Sequence, residues 1–142
     1  MDYGNGDFYV GQWKDGKRHG RGMFFSSTEG TYDGEFLGDI KEGFGNMQHK
    51  NGDFYSGHWK KGLYHGHGVL NCVTGGMVSY DGTWENGVRH GKGTIYFRNG
   101  SKYEGHLKEN VVSFSLLLIS RSFKFLTRGG NQTDPWKRSF HK

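Results

Sequence analysis

The sequence predicts an all-β fold, an elongated single-layer antiparallel meander of β-hairpins followed by a non-repeat C-terminal tail. Three observations carry that prediction. A phrase of about 23 residues recurs, with starts at Tyr9, Tyr32, Tyr55, Tyr80 and Tyr103 and steps of 23, 23, 25 and 23. Within each unit, apolar and polar residues alternate with the period of a half-exposed strand. The 142 residues include 26 glycines but one proline, and are 32% hydrophobic yet 16% aromatic, so the core must be thin and built of rings.

The first complete unit shows how each element follows. Tyr9, Gly11 and Trp13 alternate with Val10 and Gln12, which reads as a strand. Lys14-Asp15-Gly16-Lys17 supplies a tight turn, because Gly16 accepts the positive φ that such hairpins need. A second strand follows through His19-Gly20-Arg21-Gly22-Met23-Phe24-Phe25, whose alternating glycines offer a bare backbone strip for neighbouring rings to cover. Glu29-Gly30, Asn51-Gly52, Gly75-Gly76 and Asn99-Gly100 then reverse the chain before the next tyrosine. Eight or nine strands at ~4.8 Å spacing would make a twisted ribbon roughly 40 Å long. Helix is not expected, since each interior glycine costs a helix about 1 kcal/mol.

Charge narrows the function. The net charge is +5 with a pI of 9.3, but residues 1–110 hold 13 Lys/Arg against 13 Asp/Glu. The excess comes from Arg121, Lys124, Arg128, Lys137, Arg138 and Lys142, opposed only by Asp134. Nucleic acid is therefore not expected as a partner, because phosphate binding asks for a net basic groove. Cys72 is the sole cysteine, which excludes an internal disulfide and a thiolate metal cluster and reads as a small core thiol. The start, Met1-Asp-Tyr-Gly-Asn-Gly-Asp, lacks the basic and apolar regions of a secretory signal, and an intracellular location is expected.

The recurring residues resemble a known family. Tyr55-Ser-Gly57-His-Trp59-Lys-Lys-Gly62-Leu-Tyr-His65-Gly66-His-Gly68 is similar to a complete MORN (membrane occupation and recognition nexus) repeat. So are the units beginning at Tyr9, with Gly11, Trp13, Gly20 and Gly22, and at Tyr80, with Gly82, Trp84, Gly91 and Gly93. The second unit keeps Tyr32 and Gly34 but has Phe36 for Trp and Glu42 for His. The fifth starts as Tyr103-Glu-Gly105-His-Leu107 and then leaves the pattern. The resemblance spans roughly residues 5–110. It implies a rod-like scaffold of hairpins, of a kind associated with membrane attachment, cytoskeletal assemblies, and cilia or sperm flagella.

The histidines are the most tempting chemical groups. His19, His65 and His90 share a repeat position. Equivalent residues in successive hairpins should lie two strands apart, near ~9.6 Å, too far to share a metal. A polar cap that hydrogen-bonds a neighbouring loop fits better. His65 and His67 are expected on one face without a carboxylate or thiolate partner. No nucleophile or Walker motif occurs, and Gly20-Arg-Gly22 and Gly91-Lys-Gly93 lack the third glycine and the helix of a dinucleotide fingerprint. No catalytic residue, cofactor or metal is assigned.

Residues 111–142 form the divergent tail. Val111-Val-Ser-Phe-Ser-Leu-Leu-Leu-Ile119 is too short to span a bilayer. Arg121, Lys124 and Arg128, interleaved with Phe123, Phe125 and Leu126, could meet an anionic membrane surface. A foreign terminus with no such role is the stronger reading. Val111 to Leu117 is expected to cover the last strand edge, with disorder beyond Gly129-Gly130. The sequence thus points to a non-enzymatic scaffold for protein partners in the cytoplasm or cytoskeleton, with a cilium or flagellum the setting the resemblance favours. An anionic-phospholipid module is the alternative. Both ends of the array interrupt the pattern, as a slice of a longer array would, and open sheet edges there could pair with a second copy.

Overall fold

The structure, a computed structural model, describes residues 1–112. They form one open antiparallel sheet in which every strand pairs with its neighbours in sequence. Nine full strands lead it: β1 (Phe8–Lys14), β2 (Lys17–Ser26), β3 (Gly30–Leu37), β4 (Ile40–His49), β5 (Phe54–Lys60), β6 (Leu63–Asn71), β7 (Met77–Glu85), β8 (Val88–Phe97) and β9 (Lys102–Lys108). A two-residue tenth, β10 (Val111–Val112), pairs with β9 and exceeds the expected strand count by covering part of the last edge. Residues 113–117 of the strand expected there lie outside the described residues, as do Arg121, Lys124 and Arg128 and the rest of the tail.

Two kinds of reversal alternate. Within each unit the turn is two residues long with both φ angles positive, from Asp15 and Gly16 (53° and 77°) to Asn86 and Gly87 (51° and 86°). That geometry matches the twist of the flanking strands, and Asp, Asn and Gly tolerate it best. Between units the connections are longer. The 25-residue step is accommodated by the loop from Cys72 to Gly76 and by a bulge between Met77 and Ser79.

Register explains the core. Gly11, Gly22, Gly34, Gly45, Gly57, Gly68, Gly82, Gly93 and Gly105 face one another in a single row across nine strands. The row is a trough without side chains, and the repeat tyrosines lie in it. A Cβ added at Gly22 would stand 2.1 Å from the Tyr9 hydroxyl, and one at Gly68 2.1 Å from that of Tyr55. Although the sheet has one layer, Tyr9, Tyr55 and Tyr80 are 0% exposed and Tyr32 and Tyr103 1%. Each hydroxyl donates to the carbonyl three residues on, at 2.8 Å for Tyr9–Gln12 and Tyr55–His58 and 3.0 Å for Tyr103–His106, so the buried polar atom is satisfied.

The two glycines of His-Gly-x-Gly do not act as one bare strip. Gly22 lies in the trough, whereas Gly20 sits with φ +73° in a bulge where the register shifts between Gly11 and Trp13. The bulge lets Arg18, rather than Gly20, face Trp13. At the other end, the outer edge of β1 is not wholly open. The Tyr9 amide donates to the Met1 carbonyl at 2.8 Å, and the Met1 amino group returns a bond to the Tyr9 carbonyl.

Candidate interaction surface

One face of the sheet carries the aromatic rows. Trp59 meets Tyr32 and Tyr55 edge-to-face at 5.1 and 5.3 Å, and Trp84 meets Tyr55 and Tyr80 at 5.6 and 5.2 Å. The Trp59 indole donates to the Gly45 carbonyl at 3.0 Å and that of Trp84 to Gly68 at 3.1 Å, tying each unit to the one before. Phe36 holds the same place by ring contact alone, at 5.3 Å from Tyr9 and 5.1 Å from Tyr32. Trp13, in the first of the described units, is 42% exposed. Trp59→Phe should therefore keep the fold and lower stability by about 1–2 kcal/mol, the value of one buried hydrogen bond with some lost contact, measured by chemical denaturation. An unchanged midpoint would show that the indole bond contributes nothing.

The bulge adds a column that the sequence reading did not single out. Arg18, Lys41, Tyr64 and Arg89 occupy one repeat position, immediately ahead of His19, Glu42, His65 and His90. All four lie over the rings. The Arg18 guanidinium is 4.9 Å from the Phe24 ring and 5.3 Å from Phe36, Lys41 Nζ is 5.4 Å from Tyr32 and 5.5 Å from Trp59, and Arg89 is 5.9 Å from Tyr80. Tyr64 instead stacks on Tyr55 at 3.8 Å and bonds the His49 ring through its hydroxyl. Burial lowers the pKa of Lys41, Arg89 and His49, in each case as the main cause. The signal was present in the sequence as four long side chains at one offset, but the charge total for residues 1–110 hid which face held them.

Tyr64 also gives the sheet an alkaline limit. Burial pushes its hydroxyl up to about 12 from an ordinary 10, with Asp53 and Cys72 adding to the rise. The folded chain therefore holds this proton more tightly than the unfolded one. The resulting stability is complete below pH 10 and is lost as pH rises toward about 12. The share of tyrosinate absorbance that Tyr64→Phe removes should appear together with loss of β circular dichroism in that window; if that share appears near pH 10 with the sheet intact, the limit does not come from Tyr64.

The histidine position is a loop cap in the later units. His65 Nδ1 accepts from the Asn86 amide at 3.4 Å, His90 Nδ1 from Glu109 at 3.3 Å, and Glu42 Oε1 from Lys61 at 3.0 Å. Contrary to expectation, His67 does have a carboxylate partner, Asp81 Oδ1 at 2.9 Å from Nε2. No three His, Cys, Asp or Glu side chains gather into a metal site among the described residues.

The turns complete the cross-unit contacts. Asp39 accepts from the Arg18 amide and from its Nε, at 2.8 and 3.0 Å, and Asn110 does the same for Arg89 at 2.7 and 3.0 Å. On the opposite margin, Asp7 and Asp53, from matching Asn-Gly-Asp stretches, accept from the amides of Ser27 and Val73 at 2.7 and 3.0 Å. The MORN repeat model matches residues 9–31, 32–54, 55–77 and 80–102. The chain belongs to the MORN-repeat family. The matched MORN units start at the tyrosines in the trough, and the two residues left between the third and fourth, 78 and 79, fall at the β7 bulge. MORN repeats are a non-enzymatic module that generally contacts proteins or membranes.

Proposed function

We propose that this chain is a non-catalytic scaffold that binds protein partners along its aromatic face and its edges, within a cytoskeletal, ciliary or flagellar assembly. The observation supporting this is the repetition itself: half-buried Arg18, Lys41, Tyr64 and Arg89 recur at one position over the buried rings, so successive units present equivalent contacts. Such repetition suits an extended partner and gives no single reaction centre. Affinity purification of the tagged chain from ciliated and from non-ciliated cells tests the setting. Axonemal or other cytoskeletal proteins should be enriched, and more so from ciliated cells. Equal recovery of unrelated proteins from both would remove the assignment.

Attachment to anionic membranes is the second reading, favoured by Arg18, Lys41 and Arg89 on one face, and by Arg121, Lys124 and Arg128 in the tail. Replacing the three tail cations by Gln should abolish co-sedimentation with phosphatidylserine vesicles if the tail is the anchor. Binding that survives that change would assign any membrane contact to the repeats.

A further inference from the structure

Within the cation column, one member lacks what the others have. Arg18 is held by Asp39 and Arg89 by Asn110, each 21 residues further on in the turn of the following unit. The residue 21 after Lys41 is Gly62, which docks its amide on the Lys41 carbonyl at 3.0 Å but has no side chain to offer the ammonium. Lys41 Nζ consequently makes no ion pair or hydrogen bond among the described residues. It is half-buried between the rings of Tyr32 and Trp59 and borders a depression of about 240 Å³ walled by Met47, His49, Trp59, Leu63 and Glu29. The charged groups acting on it are Glu29, which favours its charge, and Arg18, which opposes it, both weaker than burial.

A desolvated ammonium facing a small apolar hollow calls for an anion accompanied by an apolar group. We propose that the depression between the second and third units seats an acidic peptide of a partner protein, with an Asp or Glu carboxylate on Lys41 Nζ and an adjacent apolar side chain between Met47, Trp59 and Leu63. This inference rests on the protein-binding reading and names the chemistry of one contact. A peptide fits better than a membrane. The ammonium is half-buried among the rings, where one side chain reaches it and a flat lipid surface does not.

The test is selection of binders to the full chain from a displayed random-peptide library, followed by anisotropy measurements on the enriched peptides. Enriched peptides should carry Asp or Glu beside Leu or an aromatic residue. Lys41→Gln should weaken them about tenfold, Lys41→Arg should restore much of the loss, and Lys14→Gln should leave affinity unchanged. Amidating the peptide carboxylate should cost as much as Lys41→Gln, with no further loss when both changes are combined. Circular dichroism melting of each variant separates lost binding from lost folding. Peptides that bind equally well to Lys41→Gln overturn the assignment while leaving the protein-binding reading in place. A library that yields no carboxylate-bearing binder, or phosphatidylserine vesicles that depend on Lys41 when peptides do not, overturns it as well.

Discussion

Tyr55→Ala should lower the stability of the array by about 3–5 kcal/mol, the range for deleting a large buried ring. That is a large share of the roughly 5–15 kcal/mol that holds a domain folded. Tyr55 is 0% exposed in the middle of the sheet, where its ring stacks on Tyr64 at 3.8 Å and meets Trp59 and Trp84 edge-on. A single-layer sheet has no second layer to move in and refill the space, so the cavity stays open to water. Tyr55→Phe keeps the ring and removes only the 2.8 Å bond to the His58 carbonyl, for an expected loss of about 1 kcal/mol. The two variants, compared in urea, separate ring from hydroxyl. Similar losses for both would show that the hydroxyl and not the packing holds the tyrosine.

Gly68→Ala is expected to cost at the upper end of about 1–3 kcal/mol although it adds one methyl group. Its new Cβ would meet Tyr55 Oη at 2.1 Å and Cζ at 2.4 Å, so either the ring must leave the trough or the strands must part. Gly16→Ala supplies the contrast. There φ is +77° but no atom lies within 4 Å, which leaves only the left-handed penalty of roughly 1–2 kcal/mol. In a Tyr55→Ala background the clash at residue 68 disappears, and Gly68→Ala should then cost under about 1 kcal/mol. Additive losses in the double variant would remove the trough as the reason for the glycine.

Much of this was legible because the repeat restates each local rule. Tyr9, Gly11 and Trp13 read as a strand, Asp15-Gly16 as a two-residue turn, and the same signals at Tyr32, Tyr55, Tyr80 and Tyr103 set the order of the sheet. The bulge at Gly20 was less legible. A positive φ at one glycine of a Gly-x-Gly pair depends on how the strand pairs, and alternation alone puts both glycines on one face. That shift, repeated in four hairpins, sets Arg18, Lys41, Tyr64 and Arg89 opposite Trp13, Phe36, Trp59 and Trp84, and so it shapes the chemistry of the candidate surface. Pairings 21 residues apart, such as Arg18 with Asp39, likewise need the twist of the sheet to become visible.

The meander also sets how the array would respond to force. Its strands lie side by side along the long axis, so a pull on the two ends loads the inter-strand hydrogen bonds along their own direction and opens them a few at a time from an edge. The bonds from each turn to the preceding unit, such as Asp39 N to the Arg18 carbonyl at 2.9 Å and Gly87 N to Tyr64 at 2.9 Å, act as stitches that must give before a hairpin peels away. Each 23-residue unit released would lengthen the tether by roughly 65–70 Å, the extended chain at ~3.4 Å per residue less the ~9.6 Å the two strands spanned. Placed in an assembly under load, such a ribbon would behave as a stepwise extensible link rather than a stiff strut.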